Sequence, residues 1–165
     1  MVLLIDANVL LDVLMNREEF VNDSSLIWKL CETKKAIGYV STLTFANMMY
    51  IMRKELAPDQ IELVYKEICL IFEIADFDVG ILEQAIQMNW KDFEDAIQSA
   101  TAQKLKVDYI VTRNVKDFIE SKVPSLTPTE LLAIFCKTQV QLEFCFIITI
   151  YTCCRSTSII NILVL

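Results

Sequence analysis

Aspartates are the side chains of this sequence best suited to chemistry, because four of them follow or begin predicted secondary-structure elements. Asp6 comes directly after the apolar run Val2–Ile5. Asp92 and Asp95 are three residues apart, which places them on one face of a helix, whereas we expect Glu94, between them, to point elsewhere. Carboxylate oxygens are hard ligands, and they suit Mg²⁺ or Mn²⁺.

The fourth aspartate, Asp117, lies five residues beyond the apolar run that ends at Thr112. Each of the four also has a purely structural interpretation. Asp6 could cap the helix that follows it, acids at a helix N-terminus are stabilised by the helix dipole, and Asp117 could lie in a solvated turn. Position alone therefore leaves a metal-binding role open for each residue, and their joint order is the more informative signal.

The composition removes several other kinds of active site. The 165 residues contain no histidine, which excludes Ser-His-Asp and Cys-His nucleophile systems and HExxH zinc sites. With two glycines and three prolines, no GxGxxG or Walker-type phosphate loop can be written. The net charge of −7 argues against a protein that coats nucleic acid. It does not exclude a nuclease whose acidic pocket is neutralised by a metal ion.

Cysteine usage and the first residues predict a reducing, cytoplasmic environment. None of the six cysteines forms a CxxC pair, so zinc and thioredoxin-like sites are weak interpretations. The segment MVLLIDANVLLD has no basic region before its apolar stretch and carries Asp6 inside it, unlike a signal peptide. We therefore expect free thiols.

The elements that would position the aspartates alternate between strands and helices. Apolar runs of strand length occur at residues 2–5, 36–40, 72–75 and 109–112, and a last one ends at 126. Helical segments are predicted at 8–15, 23–33, 44–56, 59–71, 78–88, 92–105 and 128–136, the last behind a capping box that begins at Thr127. This order predicts an α/β domain with a largely parallel sheet. Sites in such sheets form at the carboxyl ends of the strands.

Three segments together resemble the PIN domain, the metal-dependent ribonuclease fold of the VapC-type toxins. They read LLIDANVLLDVL near the start, STLTFANMMYIMRK in the middle and DFEDAIQSATAQKLKVDYIVTRNVKDF later. The resemblance implies a three-layer α/β/α fold around a central, mostly parallel sheet of about five short strands. We expect this PIN-like domain to span residues 1–138.

The resemblance also implies a role for each candidate residue. Asp6 would be the central metal ligand and Asp95 the second. Asp117 or the side chain of Asn114 would complete the acidic pocket, and Thr112 would donate hydrogen bonds there. One or two Mg²⁺ or Mn²⁺ ions would then bind among these carboxylates and activate a water molecule for attack on a phosphodiester bond.

Three further residues belong to the expected site. Asp92 matches a PIN subgroup that carries an extra acid ahead of Asp95, and Arg113 neighbours the pocket as a candidate phosphate contact. Asn47 stands where many family members have a glutamate. An amide oxygen can still bind a metal ion, but it brings no charge.

The function implied by the resemblance is a metal-dependent endoribonuclease that hydrolyses single-stranded RNA, as the toxin of a toxin–antitoxin pair. Expected partners are the RNA substrate, a small antitoxin and a second copy of the chain; no membrane is expected. The alternative is a catalytically weak or inactive PIN module that binds RNA or a protein, which Asn47 and the net acidity mildly support. A haloacid-dehalogenase phosphatase would need a second aspartate two residues after Asp6, where this chain has Asn8.

Residues 139–165 lie outside the resemblance. They hold half of the cysteines, very little charge and two mostly apolar runs, Phe144–Cys154 and Ser158–Leu165, which Arg155 and Ser156 separate. A membrane helix needs about 20 apolar residues, so a tail anchor is disfavoured. An extra pair of strands, a poorly ordered appendage and a segment translated past a frameshift all stay open. We expect truncation after about Thr138 to leave a folded, soluble domain.

Overall fold

The computed structural model describes residues 1–54 and 56–137, which form short strands separated by helices. The strands are β1 (Val2–Ile5), β2 (Ile37–Ser41), β3 (Glu73–Ala75), β4 (Tyr109–Val111) and β5 (Ser125–Leu126). The helices are α1 (Ala7–Leu14), α2 (Val21–Glu32), α3 (Thr42–Met52), α4 (Pro58–Ile71), α5 (Val79–Met88) and α6 (Phe93–Leu105), with a 3-10 helix at Val115–Phe118. The predicted elements are therefore confirmed. The largest shift of an element end is in α3, which ends at Met52 instead of residue 56.

The five strands form one sheet in the order β3-β2-β1-β4-β5, and every neighbouring pair is parallel. The chain builds outwards from β1 through β2 and β3 on one side, and then returns to place β4 and β5 on the other. The strand order thus reverses at β1. In open parallel sheets this reversal leaves a crevice outside the carboxyl ends of the two strands concerned, which here are β1 and β4.

Helices cover both faces of the sheet, which confirms the predicted three-layer α/β/α fold. On one face, Leu4 of β1 and Ile110 of β4 pack against Ala102 of α6 and Phe118 of the 3-10 helix. Helix α6 in turn packs against α5 through small and medium-sized side chains: Ile81, Ala85, Ala96, Ile97 and Ala100. The small alanines allow α6 to lie close to its neighbours.

Side-chain caps define where several helices begin. Asp78 accepts a hydrogen bond from the backbone N–H of Ile81 at 3.0 Å, as predicted for the start of α5. The capping box after β5 is also confirmed, because the Thr127 hydroxyl accepts from the N–H of Glu130 while the Glu130 carboxylate accepts from the N–H of Thr127. Such caps stabilise a helix by about 1 kcal/mol each.

The chain divides into two compact units, Met1–Leu131 and Leu132–Leu165. All candidate site residues belong to the first unit, in which residues 128–131 begin a helix. In the second unit, the described residues 132–137 are helical. The expected extension at 139–165 and its predicted boundary after residue 138 lie outside the described residues. Within residues 1–54 and 56–137, no helix is long and apolar enough to cross a bilayer.

Candidate active site at the carboxyl edge of the sheet

Asp6 lies at the point where β1 leaves the sheet, beside the end of β4. Its backbone N–H donates to the carbonyl of Val111 at 3.0 Å, which extends the pairing of the two strands by one residue. Although Asp6 precedes α1, its side chain makes no capping hydrogen bond to that helix. Asp6 is thus the N-cap residue of α1 through its backbone, while its carboxylate does not supply the side-chain cap.

The Asp6 carboxylate is instead held by two side chains of the same edge. Its Oδ2 atom accepts hydrogen bonds from the Thr112 hydroxyl at 2.7 Å and from the Asn8 amide at 2.6 Å. The Thr112 hydroxyl also accepts from Asn8 Nδ2 at 3.2 Å and from the N–H of Asn114 at 3.0 Å. One donor and two acceptor positions are all that a hydroxyl has, so the Thr112 hydroxyl is fully used and fixes the orientation of Asp6.

Helix α6 brings a second pair of acids to this edge through its N-terminal turn. Asp92 is the N-cap, and its Oδ1 atom accepts from the N–H groups of Glu94 at 2.9 Å and Asp95 at 3.4 Å. The capping interpretation of Asp92 is thus correct, and it does not compete with a place in the site. Asp92 and Asp95 line one face, as the three-residue spacing predicted.

Asp117 reaches the same place from the 3-10 helix after β4. Together with Asp92 and Asp95 it lines a cavity of about 500 Å³. Asp6 does not line this cavity, but its charge, like those of Asp92 and Asp117, raises the pKa of Asp95. The predicted carboxylates therefore come together from three segments of the chain: the end of β1, the start of α6 and the 3-10 helix. Asn114, in contrast, contributes its backbone N–H to Thr112 while its residue is exposed.

The electrostatics of the gathered carboxylates appear in two pKa shifts. Burial raises the pKa of Asp6 above its usual value, against the hydrogen bond from Thr112, which lowers it. The pKa of Asp95 rises to about 7, first because of burial and then because of the negative charges of Asp92, Asp117 and Asp6. A carboxylate with this environment exchanges its proton near neutral pH unless a cation compensates the repulsion.

The donor set fits a hard divalent cation in chemistry and in charge. Carboxylate oxygens are the ligands that Mg²⁺ and Mn²⁺ prefer, and a cation would relieve the repulsion that raises the pKa of Asp95. In the part of the chain that the structure describes, no three acidic or thiol side chains already form a metal-binding group. The carboxylates are thus assembled on one edge without being closed into a cage.

Asn47 lies opposite α6 and donates a short hydrogen bond from Nδ2 to Glu94 Oε1. Glu94 does not line the cavity that Asp92 and Asp95 line, and its side chain points to Asn47 instead. The negative charge of Glu94 contributes to the raised pKa of Asp95. The Asn47 side chain is thus bonded to a carboxylate of α6.

Arg113 is engaged in structural contacts. Its guanidinium forms an ion pair at 3.4 Å with Asp12, a fully buried carboxylate on α1, and stacks on the ring of Phe20 at 4.2 Å. Asp12 also accepts from the Ser24 hydroxyl at 3.1 Å. The backbone N–H of Arg113 donates to Asn8 Oδ1 at 3.2 Å. Arg113 thus ties the loop after β4 to α1, and its predicted phosphate contact stays a prediction.

A model of the PIN domain family matches residues 2–116. The chain belongs to the PIN domain family. The match includes the candidate residues on β1, α3, α6 and the loop after β4, and it ends one residue before Asp117. No curated protein sequence matches the chain.

Solved structures share this PIN domain fold. VapBC2 from Rickettsia felis, bound to a promoter DNA fragment, has a TM-score of 0.60 at 15% identity, covering 77% of this chain and 98% of that one. A toxin–antitoxin complex from Klebsiella pneumoniae has a TM-score of 0.58 at 24% identity, and the match covers 76% of this chain and 96% of that one. VapBC-1 from nontypeable Haemophilus influenzae has a TM-score of 0.60 at 15% identity, and the match covers 78% of this chain and 99% of that one. At these identities the likeness shows the fold alone.

Two site residues escaped the sequence interpretation. Asn8 was used only to argue against a phosphatase, yet it bonds to both Asp6 and Thr112. Its signal was an amide side chain two residues after a strand-ending aspartate. Glu94 was expected to point away from Asp92 and Asp95, and its bond to Asn47 depends on how α3 and α6 lie together, which sequence spacing does not contain.

Proposed function

We propose that this PIN domain is a divalent-metal-dependent endoribonuclease that hydrolyses single-stranded RNA, and that it acts as the toxin of a toxin–antitoxin pair. One observation carries the proposal: Asp92, Asp95 and Asp117 line a single cavity, and Asp6 lies close enough for its charge to raise the pKa of Asp95. Family membership supports a nuclease, and the sequence contains no histidine for a metal-free acid–base mechanism.

The chain's own residues have separable tasks in this proposal. Asp6, Asp95 and Asp117 would hold one or two Mg²⁺ or Mn²⁺ ions, which supply a deprotonated water and stabilise the leaving oxygen. Thr112 and Asn8 keep one carboxylate oxygen of Asp6 bonded, so that its orientation does not depend on a ligand. Asp92 holds the N-terminal turn of α6, and thereby the backbone of Asp95, in place.

The test is cleavage of an unstructured, end-labelled RNA by purified wild type and Asp6→Asn, with Mg²⁺ or Mn²⁺ and with EDTA. We expect cleavage that EDTA abolishes and that Asp6→Asn reduces by about 100-fold or more. Asp59→Asn, which changes an exposed first-turn aspartate of α4, is the matched control and should cleave normally. Cleavage by Asp6→Asn at saturating metal would show that the mechanism is wrong.

The products separate this reaction from contaminating nucleases. Attack by a water molecule leaves an ordinary phosphate monoester, whereas attack by the neighbouring 2′-hydroxyl, which needs no metal-bound water, leaves a cyclic phosphate. We expect only the monoester. A DNA strand of the same sequence tests whether the substrate is restricted to RNA.

The antitoxin partner is proposed from the solved neighbours, of which the Klebsiella pneumoniae structure is described as a toxin–antitoxin complex. The experiment is co-expression of this chain with the small open reading frame next to its gene. Stable co-purification together with loss of ribonuclease activity would support the toxin role. Full activity of the co-purified material would contradict it.

A non-catalytic PIN module is the second candidate, and Asn47 is the observation that favours it, since it brings no charge to the cluster. Calorimetric titration with Mn²⁺ separates the two. Mn²⁺ binding by wild type that Asp6→Asn weakens supports the nuclease, whereas absence of binding by wild type supports the module.

A further inference from the structure

The cavity beside the acidic cluster also contains two lysines. Lys91 comes directly before Asp92 at the start of α6, and Lys116 directly before Asp117 in the 3-10 helix. Both line the cavity of about 500 Å³ together with their acidic neighbours. Two segments that are distant in sequence thus each bring a lysine to the same cavity, one beside Asp92 and Asp95 and the other beside Asp117.

Neither lysine has an acidic partner in the part of the chain that the structure describes. Both are exposed, and neither takes part in any ion pair among the described residues, although Asp92, Asp95, Asp117 and Glu120 line the same cavity. When a cation neutralises the aspartates, Lys91 and Lys116 are left as the positive charges of the cavity.

The wall of the cavity also includes an aromatic residue. Trp90 packs edge-to-face against Phe118, with ring centroids 6.5 Å apart, and belongs to the core cluster under β1 and β4. It is only partly buried, and it lines the cavity beside Lys91. An apolar ring next to two ammonium groups is a combination that suits a nucleotide, which presents a base and phosphates together.

We infer that this cavity is a subsite for the RNA strand flanking the cleaved bond, in which Lys91 and Lys116 bind backbone phosphates and Trp90 contacts a base. The inference rests on the proposed function and names the residues that bind its substrate outside the carboxylate cluster. It also replaces Arg113, whose guanidinium is engaged with Asp12 and Phe20, as the principal phosphate contact.

The size of the effect follows from counterion release. For a single strand, each phosphate contact contributes about 0.7 to the slope of log affinity against log salt concentration. Loss of both lysines should therefore lower this slope by about 1.4, which corresponds to roughly 25-fold weaker binding at 0.1 M salt relative to a 1 M reference. Phosphate contacts carry no sequence information, so the loss should be similar for different RNA sequences.

The test measures binding of a labelled single-stranded RNA by fluorescence anisotropy, over a range of salt concentrations, in the Asp6→Asn background with Mn²⁺ and again with EDTA. The variants are Lys91→Ala with Lys116→Ala, and the same pair changed to Arg, which should retain binding. The control is Lys29→Ala with Lys66→Ala, which removes the same charge from α2 and α4, away from the cavity.

We expect roughly 25-fold weaker binding and the lower salt slope for the alanine pair at Lys91 and Lys116, and less than about twofold change for the control. In otherwise wild-type protein, the alanine pair should raise KM with kcat nearly unchanged. The inference would be overturned if the alanine pair at Lys91 and Lys116 and the control pair lost the same RNA affinity, or if neither lost any. A loss for single-stranded DNA without one for RNA would overturn it as well. If wild type does not cleave RNA, the proposed function is wrong. If wild type cleaves RNA but the alanine pair at Lys91 and Lys116 binds RNA as wild type does, only the subsite is wrong.

Discussion

Replacing Asp95 by Asn should stabilise the protein when no metal is present. The pKa of Asp95 rises from the ordinary 3.8 to about 7, because of burial and because Asp92, Asp117 and Asp6 repel its charge. The native state therefore binds more protons than the unfolded state between about pH 4 and pH 7. Stability is fully present below the unfolded pKa and is lost as the pH rises through the folded pKa.

The magnitude follows from the separation of the two pKa values. Each pH unit between 3.8 and about 7 corresponds to about 1.4 kcal/mol of unfolding free energy. The charged Asp95 side chain therefore destabilises the native state at pH 8 by at most about 4 kcal/mol. Because Asp95 is partly exposed, solvent screening reduces this to about 1–2 kcal/mol. The asparagine also loses a favourable first-turn charge worth about 0.3–1 kcal/mol. The free energy of unfolding of Asp95→Asn should therefore exceed that of wild type by about 1 kcal/mol at pH 8.

The assay is urea unfolding followed by circular dichroism at pH 8 and pH 4, in EDTA and in Mn²⁺. In EDTA, the difference in free energy of unfolding between Asp95→Asn and wild type should shrink towards pH 4, where the wild-type Asp95 carboxyl is protonated. In Mn²⁺ the sign should reverse, because the ligand binds the native wild type more tightly and stabilises it by mass action. Asp59→Asn in α4 measures the loss of the helix-dipole interaction alone.

One result would refute this reasoning. If Asp95→Asn in EDTA is less stable than wild type at pH 8, and by no less than at pH 4, then Asp95 does not experience the charges of Asp92, Asp117 and Asp6. The four carboxylates would then not be assembled before metal binds.

Two other substitutions test the frame around the site. Thr112→Val should lower the free energy of unfolding by about 1–3 kcal/mol, because it leaves Asp6 and Asn8 without a shared partner; Thr112→Ser should restore stability in the same urea assay. Asp12→Asn should cost about 3 kcal/mol, because it removes the buried charge that Arg113 and Arg17 share; a loss below about 0.5 kcal/mol would show that the arginines find other partners.

The parts of the fold that local patterns determine were predictable. Apolar runs marked the strands, and the aspartate at the end of β1 and the threonine at the end of β4 lie at the same edge because both strands are parallel. Asp78 and the box at Thr127 began helices because their side chains bond to N–H groups three residues on. These features depend on neighbours in sequence, and their physical causes can be identified without tertiary structure.

The network around Asp6 was not predictable in this way, because it depends on long-range register. Asn8 bonds to Thr112 only because Ile5 pairs with Val111, and sequence spacing contains no information on that pairing. Arg113 is a different case. Asp12 lies among leucines on the buried side of α1, and a carboxylate in that position requires a cation. That signal was present in the sequence, and it indicated a structural task for an arginine.

Asp6 and Asp95 are held in different ways, and the difference explains how one edge can keep several carboxylates together. Asp6 is oriented by neutral donors, Thr112 and Asn8, whose bonds persist whether or not a cation is present. Asp95 has no such donor among the side-chain hydrogen bonds of the described residues; its place is set by the backbone of α6, and its charge is opposed by its neighbours. One acid is thus preorganised, and the other responds to ligand and proton. Removing the charge of Asp95 relieves repulsion without breaking a side-chain hydrogen bond among the described residues, whereas removing the charge of Asp6 also weakens the two bonds that its Oδ2 atom accepts.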